Sequence, residues 1–194
     1  MPTLKTILRQ RLEGARRVAV VGVGSTLRGD DAAGMLAAEA LQRTFKARRN
    51  GPPSTTQSRR GGSKIRRVED PPGRGGAGLP RVAVFLGETA PENLTGEIRR
   101  FQPTHVVILD AADVGAAPGH IEVIPNDAPT QNPTISTHSL PMKVFTDFLT
   151  KSIGCQAVVA GIQPATREFG RPVSAAVKRA AARLAAALAA VLSE

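Results

Sequence analysis

Tryptophan and tyrosine are absent from these 194 residues, and six phenylalanines are the only aromatics. Platforms on which single-stranded nucleic acid could stack are therefore scarce. Cysteine occurs once, as Cys155, which excludes an intramolecular disulfide and a thiolate metal cluster. A reducing cytoplasm is the matching expectation. Cys155 opens the apolar run CQAVVAGI, so it reads as a buried strand thiol rather than a nucleophile. No run of about 18 apolar residues exists, so neither a membrane span nor a membrane partner is expected. The N-terminal MPTLKTILRQRLEGARR lacks the apolar core of a secretion signal and carries Glu13; it reads as an amphipathic helix.

Acidic residues are also in deficit, 16 against 26 basic, for a net charge of +10. Most of that excess is local. Between Lys46 and Pro80 nine basic residues face only Glu69 and Asp70, a net +7. The segment is rich in Gly, Pro, Ser and Arg and nearly free of large apolar residues, so it cannot bury enough surface to offset its ordering entropy. A disordered surface insertion at about 48–79 within a single 1–194 domain is expected. A solvated insertion without a specific role is favoured over one that touches nucleic acid or an acidic partner, and nucleic acid is not an expected partner. An RNA-associated protein would rest on this segment alone, through binding that weakens with salt.

The rest of the chain alternates strand and helix patterns. RVAVVGVG (17–24), RVAVFLG (81–87), THVVILDA (104–111) and QAVVAGIQP (156–164) are apolar strands, and GHIEVIP (119–125) alternates like an edge strand. Helical spacing is seen over 31–45, over PENLTGEIRRF (91–101), over 138–151 with Val144, Phe145, Phe148 and Leu149 on one side, and in a long terminal helix striped by Val177, Ala181, Leu184, Leu188 and Val191. Near-continuous apolar strands alternating with helices imply a parallel sheet covered on both faces.

The first strand runs into GVGSTLRGDDAAG (22–34). Gly22 and Gly24 fit a dinucleotide-binding G-x-G-x-x-G, but its third position is Leu27. Asp30 and Asp31 at the helix start would repel a pyrophosphate there. Helix capping accounts for one aspartate, and Asp30 is assigned that role, with Asp30→Asn expected to be mild. Two carboxylates about 4 Å apart would repel by roughly 4 kcal/mol at an effective dielectric of 20; the pair points to a cation or a shared proton. Ligands of parallel sheets bind beyond the carboxyl ends of the strands. Asp31 follows the first strand, Asp110 ends the third, and His138 opens the helix before the last, with Ser136 or Thr137 as its cap. If these loops share one edge, two carboxylates and an imidazole converge, a set suited to a divalent transition metal. Taken singly, Asp110 reads as well as a strand-end acceptor, and His138 as a helix-start residue facing water.

GVGSTLRGDDAAG, GETAPENLTGEI, VVILDAADVGAAPGHIEVI, STHSLPMKVF and GIQPATREFGRPVSAAV together resemble the nickel-iron hydrogenase maturation endopeptidases, in particular the subgroup serving formate-hydrogenlyase-type hydrogenases. The order and spacing match over about 17–192, the Arg-rich insertion excepted. The resemblance implies a single three-layer α/β/α domain with a mostly parallel five-stranded sheet. It implies an endopeptidase that removes the C-terminal extension of the large-subunit precursor after nickel insertion. That precursor would be the partner. The nickel would travel with the substrate, and no permanently bound cofactor is expected. The family's metal-binding residues fall on Asp31, Asp110 and His138. Ser25 stands where the family often has Asn, and the insertion has no counterpart. Neither a Gly-x-Ser-x-Gly elbow nor a Cys–His pairing is evident, so water is the expected nucleophile. Asp31 and Asp110 are the candidate catalytic acids, through metal-assisted or aspartic-type hydrolysis. Gln163 and Pro164 are the candidate residues of the peptide groove. The alternative is a nickel-sensing chaperone that binds the precursor without cutting it. The oligomeric state is left open, with a monomer as the expectation.

Overall fold

A computed structural model describes residues 2–50, 68–69, 78–124 and 139–194. A helix, α1 (Leu4–Arg11), is capped by the Thr3 hydroxyl, which accepts from the Thr6 N–H. The first strand, β1 (Arg17–Val23), leads through a 3-10 turn (Gly29–Ala32) into α2 (Ala33–Asn50). A two-residue strand, β2 (Val68–Glu69), precedes β3 (Arg81–Glu88). A 3-10 turn with Pro91 at its start then opens α3 (Thr95–Phe101), which Gln102 ends in the left-handed conformation at φ 50°. The remaining elements are β4 (His105–Ala111), β5 (Ile121–Ile124), α4 (Ser139–Ile153), β6 (Gln156–Ile162) and α5 (Ala175–Val191).

The sheet order is β2-β3-β1-β4-β6-β5. β3, β1, β4 and β6 are parallel, and β5 closes one edge antiparallel to β6. This is the expected five-stranded, mostly parallel sheet, with β2 added antiparallel on β3. Successive strand side chains point to opposite faces, and the core divides accordingly. Val18, Val20, Val107 and Leu109 pack with α1, α2 and α5, whereas Ala19, Val21, Val106 and Ile108 pack with α3 and α4. Cys155 is buried in the second cluster, and burial pushes its thiol pKa up.

Two expectations change. Helix α2 reaches Asn50, five residues beyond 45, and Val68–Glu69 is paired strand. The expected insertion at about 48–79 therefore begins inside a helix and includes a strand; most of it lies outside the described residues. The apolar side expected for 138–151 also divides. Phe145 and Leu149 are buried, but Val144 is 60% and Phe148 47% exposed. Adjacent positions on a helix sit about 100° apart, so the two pairs belong to neighbouring stripes. Among the described residues no helix is long and apolar enough to cross a membrane.

Candidate active site

The carboxyl ends of β1 and β4 lie side by side, with Gly22 in register with Leu109. Asp110 is therefore the first β4 residue beyond that paired stretch, and the turn after β1 brings Asp31 next to it. Two glycines permit the approach. Gly24 has φ 122°, and a Cβ there would stand 1.8 Å from the Asp31 carbonyl oxygen. Gly34, in the first turn of α2, lies so close to the sheet that a Cβ would stand 2.0 Å from the Leu109 carbonyl oxygen and 2.5 Å from that of Val23. Both contacts are with backbone, which cannot move aside as a side-chain end can.

The two adjacent aspartates diverge. Asp31 is partly buried, and its Oδ2 accepts from the Ser25 N–H at 2.9 Å. The backbone of position 25 makes that bond; the Ser25 hydroxyl accepts from the Leu27 N–H instead. Asp30 is fully buried. Its carboxylate accepts from the N–H groups of Ala165 (2.8 Å), Thr166 (3.4 Å) and Ser174 (2.6 Å), while its own N–H donates to the Thr166 carbonyl. The expected cap of its own helix is thus replaced by a tie across 135 residues or more, to the segment leading to Ser174, the N-cap of α5.

Asp110 is partly buried at the strand end, and its Oδ1 accepts from the Ala111 N–H at 2.8 Å. Burial pushes its pKa up to about 7; the Ala111 N–H opposes that shift, the neighbouring Asp31 charge adds to it, and Arg167 opposes it. Arg167 was not anticipated from the sequence. Its Nη2 donates to the Ala111 carbonyl at 3.0 Å, which holds a cation beside the acid. Its position just past β6, the strand paired with β4, was the signal available.

Asp31 and Asp110 line one groove of about 810 Å3. Arg28, Thr89, Pro91 and Glu92 contribute to it from the loops, and Met142, Val144, Phe145 and Phe148 from α4. Gln163 and Pro164 lie elsewhere. Gln163 is buried; its Oε1 accepts from the N–H groups of Val114 and Ala116, and its Nε2 donates to Asp113 Oδ1 and the Pro164 carbonyl. It fastens the loop after β4. His138 lies outside the described residues. Among the described residues no three His, Cys, Asp or Glu side chains form a metal-holding group.

A family model described as HycI, hydrogenase maturation protease, matches residues 66–191. The chain belongs to this hydrogenase maturation protease family. The matched span contains Asp110 and His138 but begins after Asp31. Similarity to a putative hydrogenase maturation protease of Methanocaldococcus jannaschii reaches further, at 26% identity over 175 residues, 90% of this chain and 88% of that protein. The Hydrogenase 3 maturation protease of Escherichia coli K12 is 36% identical over 97 residues, half of this chain and 62% of that protein. The crystal structure of a NiFe hydrogenase maturation protease HycI from Thermococcus kodakarensis superposes with a TM-score of 0.71 at 27% identity, covering 97% of this chain and 99% of that one. The maturation protease described here is accordingly an endopeptidase, and the groove with its two acids is its candidate active site.

Proposed function

We propose that this protease removes the C-terminal extension of a nickel-iron hydrogenase large-subunit precursor, acting once the precursor carries nickel. The supporting observation is the pairing of Asp31 and Asp110 in one groove, with Asp110 held near neutrality by burial. Carboxylate oxygens are suitable ligands for a divalent ion borne by the substrate, and His138, which directly precedes Ser139 of α4 in the sequence, is proposed as the third ligand. The nickel is cargo of the substrate rather than a resident cofactor.

A carboxyl group that titrates near the working pH can both take and return a proton. In the proposed reaction water adds to the scissile carbonyl carbon and its proton passes to Asp110. The C–N bond then breaks as Asp110 returns that proton to the leaving amine. Asp31, fixed by the Ser25 N–H, orients the metal-bearing end of the substrate and shares its charge. Both the metal-assisted and the aspartic-type route use these two acids.

The test is incubation with nickel-loaded precursor and with nickel-free precursor, followed by intact-mass measurement. Shortening of the loaded form alone is expected. Equal processing of both would remove nickel recognition from the proposal, and binding without shortening would make the protein a chaperone.

A further inference from the structure

Helix α4 carries two apolar stripes where a surface helix normally carries one. Phe145 and Leu149 enter the core. Val144 and Phe148, one turn apart, remain 60% and 47% exposed and line the same groove as Asp31 and Asp110. Isolated exposed apolar residues need no explanation. Two on one stripe, in the same groove as the acids, form an apolar wall beside any ligand held there.

The charges select the ligand. Arg28 is the single basic residue among the described lining, against Asp31, Glu92 and Asp110. Even with Asp110 protonated, Asp31 and Glu92 outnumber Arg28, and Arg167 beside Asp110 is engaged by the Ala111 carbonyl, so the groove opposes phosphate and anionic lipid headgroups and suits a peptide that is neutral or bears a cation. We propose that Val144 and Phe148 seat a large apolar side chain of the precursor segment flanking the scissile bond, making them specificity-determining residues. This rests on the hydrolytic reading above for the identity of the peptide.

The test uses the nickel-loaded large-subunit precursor. Phe148→Ser is expected to raise KM by ~10–100-fold with kcat largely kept, as loss of one apolar contact made equally in ground and transition states does. Phe148→Leu is expected to recover most of that loss. Both side chains replace an exposed one, and unchanged thermal melting confirms the fold. A KM for Phe148→Ser within twofold of the wild type overturns the proposal. A second measurement does not depend on cleavage. With Asp110→Asn to stop turnover, Phe148 is replaced by photoreactive benzoylphenylalanine, and the adduct is mapped by mass spectrometry. An adduct at the cleavage junction is expected. No adduct, or one with a second copy of this chain or elsewhere on the precursor, overturns the seat. If the wild type cuts nothing but the adduct forms at the junction, the seat stands and the hydrolytic reading falls.

Discussion

Burial keeps the Asp110 carboxyl protonated up to a pH of about 7, whereas an unfolded chain ionises it near 3.9. Between those values the unfolded state gives up a proton that the folded state retains, so stability falls as pH rises through that window and levels off above it. Asp110→Asn removes this dependence and keeps an acceptor for the Ala111 N–H. The variant is expected to melt several degrees above the wild type at pH 8, with the gap closing towards pH 4, while processing is lost; melting curves at both pH values check it. A wild type that melts as high as the variant at pH 8 would contradict the buried-acid assignment. Substitution of Asp30 is expected to destabilise. Its oxygens accept three backbone N–H groups, so Asp30→Asn turns an amide donor against another donor. A loss of about 1–3 kcal/mol is expected, with faster hydrogen exchange at Ala165 and Ser174; urea unfolding at unchanged stability would sink it. Asp110 was legible as a candidate because a charge ending an apolar strand is conspicuous, and Asp31 because two adjacent aspartates at a helix start exceed what capping needs. The role of Asp30 was not, because its partners lie beyond position 164 and no local pattern points to them.

Strands and helices were legible from periodicity to within a few residues, and the edge position of β5 from its alternation. Periodicity does not report what faces each stripe, which is why Val144 and Phe148 were grouped with Phe145 and Leu149. Close approach between elements is equally silent in sequence. Gly34 looks like any small residue in a helix, yet it sets the distance between α2 and the ends of β1 and β4. Gly34→Ala improves helix propensity by roughly 1 kcal/mol in isolation, but here its methyl meets two carbonyl oxygens. A net destabilisation of about 3 kcal/mol is expected, along with a loss of processing greater than the unfolded fraction accounts for, because α2 moves Asp31 away from Asp110. Thermal melts and turnover per folded molecule measure both; an Ala variant as stable and active as the wild type would show that the helix has room to shift.

At the scale of the whole molecule, the alternation of strands and helices carried the layered fold, and five ordered motifs carried the family. The charge distribution carried neither, because net charge governs association rather than fold. The structure moves the boundary of the basic segment. Arg48, on α2, hydrogen-bonds to Ser193 after α5, and Val68–Glu69 pairs with β3. Removing the whole of 48–79 would lose both contacts, so the replaceable stretch is 51–67. It holds Arg59, Arg60, Lys64, Arg66 and Arg67 and no acidic residue, and none of Asp31, Asp110 and His138. Exchanging it for a shorter Gly/Ser link is expected to leave unfolding free energy within about 1 kcal/mol of the full chain, since halving a loop changes closure entropy by only about 0.6 kcal/mol. Processing at moderate salt is expected to persist. The difference expected is kinetic: capture of an acidic partner slows at low ionic strength, where the Debye length is about 30 Å at 0.01 M, and converges with the full chain at high salt, where it is about 3 Å at 1 M. Stopped-flow association across a salt series reads this directly. A deletion that unfolds the domain or abolishes processing at every salt concentration would place the segment in the structural core or the substrate site, and its arginines would then act by contact rather than by long-range attraction.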